Sequence, residues 1–463
     1  MTQKNSVEKL CDAEPTKISK WEDIQHLRRG RTWHGGAWAD TCKIEATLKV
    51  VTPILGGSYK LRHIDDVDII RLPSVRAHLR FWWRALYAHK FETAAALYKD
   101  ETALWGGAAD ETGGRSAVEI ALAKPPIEGK PDNAPFDLKM PGAYALWPAR
   151  EPHAPRRKPG TTFELKLTAP KDCEAILRNV LRAWILLGGY GSRTRRGLGS
   201  LTVVKGDRGC DWLLEGPTAA SIEELFGKDI FMAEEGTAKV SGPFEAPRLA
   251  GARLFIGDDA SIGGDAEAAW LEALGWLRDF RQGTGDSIPA RRRGPGRSNW
   301  PEADKIRHQS GPGPWAHPPE HNTTPAFPRG GFGLPIVGKF KPPREPGQFD
   351  IRWISGRGET VKQHDRLASP LIVKALPLAN NEYVPCALWL NRDLPSIAKV
   401  GLAKPIGGAS NDRAVDPRQA ASFDTLIAPG DKVFFKPLSG NASLKDAFLD
   451  WLANTSRATE IAE

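Results

Sequence analysis

The chain lacks paired cysteines. Cys11, Cys42, Cys173, Cys210 and Cys386 stand apart, an odd number with no CxxC spacing. That excludes a disulfide framework or a zinc ribbon and leaves the reduced thiols of a cytoplasmic protein as the expectation. No apolar run reaches the roughly 18 residues that suggest a membrane span. The opening MTQKNSVEKL has no apolar stretch of the exporting kind. Neither a membrane partner nor export is therefore expected. Catalytic signatures are missing too. There is no GxSxG, no GxxxxGK[ST], no Cys/His arrangement, and no carboxylate pair placed for acid–base work.

What is present is length, apolar content and positive charge. The 463 residues suit two or three domains, and 41% of them are apolar, enough for real cores. Lys and Arg number 64 against 56 Asp and Glu, a formal net charge of +8. With membranes set aside, that excess favours nucleic acid as the polyanionic partner.

Residues 1–40 are polar and read as an extension, with one short helix near Ile18–Arg29. Cys42–Val51 then alternates apolar and polar residues, the pattern of a half-buried strand. Pro73 and Ser74, the latter as N-cap, open a helix whose apolar seam is Val75, Leu79, Trp82, Trp83 and Leu86. Arg76, Arg80 and Arg84 form a cationic row beside that seam. Strands are predicted at Ala117–Ala123, Thr162–Ala169 and Leu198–Lys205, with a helix over Cys173–Leu187. The succession strand, helix, strand, strand, helix, strand is that of a ferredoxin-like, RRM-like unit.

The later part is less regular. Strands are expected at Ala252–Ile256, Gly333–Phe340, Asp350–Ser355, Ser369–Leu378 and Tyr383–Leu390. Helices are expected at Ala266–Arg281 and Leu444–Ala453. The expected class is α+β, with tandem ferredoxin-like domains over residues 41–215 and 240–463. The second is more divergent and carries a long basic Gly/Pro loop at 283–324. In both halves a Leu/Trp-rich helix runs into a Gly/Arg loop, which suggests a divergent duplication.

The first of these loops, GGYGSRTRRGLGSL over residues 188–201, is the most informative segment. It holds five glycines and three arginines between a helix and a strand. Glycine permits positive φ and close backbone approach to a ligand, and the guanidinium fork suits phosphate. Such a loop can follow a phosphodiester backbone without reading sequence. A glycine cap followed by a solvated basic turn is the competing structural reading.

At this loop the sequence resembles the glycine-rich loop of the RAMP superfamily of CRISPR proteins. RLPSVRAHLRFWWRAL (71–86) is similar to the first-helix motif of one branch, subunit one of the type III-B (Cmr) effector. TPILGGS (52–58), GRSNWPEADKIR (296–307), FPRGGFGLPI (327–336) and RLASPLIVK (366–374) add to the resemblance. It implies a non-catalytic RNA-binding subunit of an antiviral ribonucleoprotein. Guide (crRNA) and target RNA and neighbouring RAMP subunits would be its partners, with no cofactor and no metal. Carried onto this chain, the RNA-binding positions are Arg76, Arg80 and Arg84; Gly189, Tyr190, Gly191, Ser192, Arg193, Thr194, Arg195, Arg196 and Gly197; and Arg291, Arg292, Arg293, Arg297, Asn299 and Trp300. Tyr190 has two readings, stacking on a base or packing. Arg28, Arg29, Arg31, Arg156, Arg157 and Lys158 are secondary basic positions.

Some features are decoys. Gly263-Gly264-Asp265-Ala266 lacks the second carboxylate of a two-metal GGDD site, so Asp265 reads as a helix N-cap. Asp65, Asp66 and Asp68 read as a solvated acidic loop. His317 and His321 are separated by Pro318-Pro319, which forbids the helix that would align them on a metal. The alternative function is a metal-independent RNA endonuclease that processes guide precursors, with His63, His78 and Tyr190 as its acid–base candidates.

Overall fold

A computed structural model describes residues 40–58, 64, 68–107, 114–150, 156–206, 211–231, 246–283, 297–341, 343–394, 397–405, 413–455 and 458–461. The elements of its first part are β1 (Thr41–Val50), α1 (Leu72–Tyr87), α2 (Ala94–Trp105), β2 (Glu119–Leu122), β3 (Thr162–Pro170), α3 (Glu174–Leu187) and β4 (Leu201–Gly206). β1 alternates as its sequence predicts, with Cys42, Ile44, Ala46, Leu48 and Val50 buried. It pairs antiparallel with β3 from Thr41↔Pro170 to Lys49↔Thr162, and with β4 on its other side. The strand order is β2-β3-β1-β4.

The seam of α1 is buried as its spacing predicts. Each large side chain removed from water there contributes about 1.5–3 kcal/mol. The helix starts earlier than expected. Arg71 is its N-cap and Pro73 lies in the first turn, where a missing N–H costs nothing, so Ser74 is inside the helix. α2 was not legible from periodicity. The Thr93 hydroxyl caps it by accepting from Ala96 N at 3.1 Å.

The second succession is β5 (Arg248–Gly257), α4 (Ala266–Gln282), β6 (Leu371–Pro377), β7 (Tyr383–Asn391), α5 (Leu444–Thr455) and β8 (Ala458–Glu460), with strand order β6-β7-β5-β8. In each sheet the first strand of the succession lies between the third and the fourth. Every residue of β6 is buried, as are all but the last of β7, so these strands read as continuous apolar runs. Asp265 caps α4 as expected, its Oδ1 accepting from Glu267 N at 2.9 Å.

The chain forms two compact units. Unit 1 comprises the described residues up to Leu274 together with Ile372–Asp393 and the chain from Glu460. It draws on both expected halves, and one apolar core runs from Ile44 and Leu181 to Leu254, Leu376 and Leu388. Unit 2 comprises Gly275–Leu371 and Leu394–Thr459. Its sheet centres on strand Gln348–Ser355, paired with Ile336–Lys339, Lys362–His364 and Lys399–Pro405. A helix, Glu302–Gln309, lies inside the stretch expected to be loop.

Candidate nucleic-acid interface

The Gly/Arg loop begins where α3 stops. The Trp184 indole donates to Gly189 O at 3.0 Å, and Tyr190 N donates to Gly199 O at 2.8 Å, closing the loop on itself. Its flank is stitched to the chain after β1. Ser192 N donates to Leu55 O at 2.7 Å, Gly199 N to Pro53 O at 2.9 Å, and the Thr52 hydroxyl to Gly197 O at 2.6 Å. Two anchors arrive from the second succession. The Trp270 indole donates to Arg196 O at 2.7 Å, and Lys374 Nζ donates to Gly188 O at 2.8 Å and Ile185 O at 3.1 Å. A donor on the last carbonyls of α3 also satisfies groups that the end of a helix leaves open.

This geometry corrects the expected role of the glycines. Their close approaches are to protein. Gly197 (φ +77°) would place a Cβ 2.3 Å from the Trp270 ring, and Gly199 (φ +66°) would place one 1.8 Å from Tyr190 O. Tyr190 is fully buried, and its hydroxyl accepts from Arg71 N at 2.8 Å. Its ring offers no face to a base, so packing is the reading that holds. Arg196 is also buried. The side that solvent reaches is Ser192–Arg195, with Arg193 exposed and in the left-handed region at φ 60°. The Arg195 guanidinium lies 5.4 Å from the Phe81 ring centroid. Burial, helped by the nearby Arg392 cation, pushes Arg195 down to about 10. Two guanidiniums within electrostatic reach of each other favour an arriving anion.

The cationic row on α1 is placed differently. Arg80 Nε donates to Glu101 Oε1 at 2.6 Å, and Arg84 pairs with the same oxygen. Glu101 comes from α2 and is 5% exposed. Arg76 donates to Ser116 Oγ at 2.6 Å and to the carbonyls of Trp105 and Val118 at 3.3 Å. Sequence reading missed Glu101, because α2 itself was not visible.

Residues 47–202 match the family model of the RAMP superfamily. That stretch is a RAMP domain. It contains α1, α3 and the whole Gly/Arg loop. No curated protein matches the chain. Among solved structures the chain is similar to apo Cmr1 from Pyrococcus furiosus, at 14% identity and a TM-score of 0.48, over 91% of this chain and 98% of that one. It is also similar to a chain of the type III-B Cmr-beta complex bound to cognate target RNA, at 14% identity and a TM-score of 0.43, over 76% of this chain and 94% of that one.

Within the RAMP domain, the two nuclease candidates among the described residues, His78 and Tyr190, pack against neighbouring rings. His78 is pushed down to about 4 by burial and stacks on Trp184, with ring centroids 5.8 Å apart. Tyr190 is sealed in, and His63 lies outside the described residues. Arg156 is buried against Asp132 at 3.0 Å, and Arg157 pairs with Glu128 at 2.7 Å, so both are structural cations.

Beyond the RAMP domain, the second basic segment departs from expectation. Arg291, Arg292 and Arg293 lie outside the described residues, as do Arg28, Arg29 and Arg31. Arg297 pairs with Glu320 at 2.5 Å. Asn299 is buried and donates to Gly283 O at 3.3 Å. Trp300 is fully buried, its ring centroid 4.8 Å from that of Phe435. Asn299 and Trp300 are core residues of unit 2, because Trp300 completes an aromatic cluster around Phe280. The two histidines bond to separate carboxylates, His317 to Glu345 at 2.7 Å and His321 to Asp304 at 2.9 Å.

Proposed function

We propose that this chain is a non-catalytic RNA-binding subunit of a type III-B CRISPR ribonucleoprotein. In this reading it is built on two ferredoxin-like units and holds the 3′ region of the guide and/or target RNA beside other RAMP subunits in antiviral defence. The observation that carries the reading is the outer edge of the Gly/Arg loop within the RAMP domain. Ser192–Arg195 presents hydroxyls and guanidiniums from a backbone that protein bonds already hold in place. A preformed loop loses little conformational freedom on binding, and its chemistry suits phosphate without reading base sequence. The type III-B assignment rests on the sequence segments at 71–86, 296–307, 327–336 and 366–374.

The test is the purified full chain binding single-stranded RNA across a salt series. Replacing Arg193, Arg195 and Arg196 together by Ala should lower affinity. The log–log salt dependence should become shallower by about 0.7 for each phosphate that the variant no longer neutralises. A folded triple variant with unchanged affinity and slope would remove the loop from the interface. Site-specific cleavage of a labelled guide precursor in chelator would instead favour a nuclease.

A further inference from the structure

A groove of about 700 Å³ opens on the outer side of α1, separate from the Gly/Arg loop. Arg76 and Arg80 line it, with Tyr98 of α2, Ser116 and the edge strand β2. Among the described residues the charges there do not balance. Arg80 and Arg84 share the single carboxylate of Glu101. Arg76 directs its hydrogen bonds to one hydroxyl and two carbonyls, all neutral. Among the described residues, Arg76, Arg80 and Arg84 therefore have one carboxylate between them. Arg115 adds no net charge, being paired with Glu119 at 2.7 Å. Burial, and then the Arg80 charge, lower the proton affinity of Arg76, and no described carboxylate pairs with it, so an anion entering the groove would be favoured there.

The second observation is aromatic. Tyr98 is 54% exposed in the same groove, the most exposed tyrosine among the described residues. An exposed ring beside guanidiniums that outnumber the described carboxylates is the combination by which single-stranded nucleic acid is held, with bases on the ring and phosphates on the cations. A peptide strand adding to β2 fits less well. That edge is four residues long, and the charged Arg115–Glu119 pair guards it.

We propose that this groove is a second RNA contact, taking one nucleotide of a single strand with its phosphate on Arg76 and Arg80 and its base on Tyr98. The proposal rests on the RNA-binding reading above but uses none of the loop residues. Its test uses the full chain with a fluorescent oligouridylate and the variants Tyr98→Ser, Arg76→Gln and the triple loop variant.

Tyr98→Ser changes an exposed position and should leave the thermal melt unchanged while weakening RNA binding about tenfold, within the range for losing one stacked base. Arg76→Gln should make the salt dependence shallower by about 0.7. With 4-thiouridine in the strand, photocrosslinks should fall on the peptide holding Tyr98. If Tyr98→Ser binds like wild type while the loop variant loses binding, the groove is overturned and the RNA reading stands. If the loop variant keeps wild-type affinity and Tyr98→Ser loses it, the loop fails and the groove holds. Wild-type protein that binds no RNA overturns both. Uridine monophosphate competing as well as the oligomer would identify a free nucleotide as ligand. Polyglutamate displacing RNA equally in wild type and Tyr98→Ser would identify an acidic peptide. Either result overturns the proposal.

Discussion

The Gly/Arg loop of unit 1 and the basic segment Arg297–His308 of unit 2 look alike as sequence, and the structure uses them in opposite ways. In the loop, protein bonds hold the backbone and the Arg193 residue is exposed. In unit 2 the cations are neutralised inside. Lys305 and Asp431 pair at 2.5 Å with both side chains fully buried. Arg307 bridges Asp304 at 2.8 Å and Glu345 at 2.7 Å. Burial alone would raise Glu345, but hydrogen bonds from Arg307 and His317 hold it below the usual carboxylate range. The number of arginines in a segment therefore says little about available charge. What decides is whether the fold buries their side chains or leaves them at the surface.

The comparison can be broken most forcefully in unit 2. Asp431→Ala strands a buried lysine and should destabilise the protein by about 3–5 kcal/mol, seen as a lower denaturation midpoint. A loss below about 1 kcal/mol would mean that the pair is solvated like a surface bridge. On the loop side, Gly199→Ala forces a side chain into a left-handed backbone against Tyr190 O. It should cost about 1–3 kcal/mol, whereas alanine at Arg193 should stay within about 0.5 kcal/mol of wild type. Equal effects of the two would show that the loop is not held by its backbone.

Lys374→Met sharpens the same point through pH. Burial pushes Lys374 from 10.5 down to about 7. Between those values the unfolded chain binds a proton that the folded chain lacks, so this residue makes stability rise with pH, and its contribution is lost as pH falls through about 7. Melts of wild type and Lys374→Met from pH about 7 to about 10 should diverge as pH rises. Parallel curves would mean that Lys374 does not titrate there. Near pH about 10 and above, where that proton cost has largely gone, the variant should lose about 1–3 kcal/mol, because the carbonyls of Ile185 and Gly188 are left without their donor.

Much of unit 1 was legible because its signals are local. The alternation of β1 and the seams of α1 and α3 announce both the elements and their buried faces. α2 escaped because its apolar residues make no clear stripe and a buried Glu101 interrupts them. Helix Glu302–Gln309 escaped for a related reason. Six of its eight residues are buried although most are charged, which no amphipathic pattern predicts. Lys305 finds its partner 126 residues away and Lys374 finds its own 186 away, separations invisible to periodicity. The loop was recognised by composition, but the purpose of its glycines was misread, because Trp270 and Tyr190 are what they make room for.

The anchors supplied by Trp270 and Lys374 also set a timetable. Both are translated well after residues 188–201, so a nascent chain that has just released the loop owns its arginines but not the clamps that shape them. A fragment ending before β6 would keep the Trp270 anchor and the bonds to residues 52–55 but lack the Lys374 donor. The last of the loop's anchors therefore waits for the synthesis of β6.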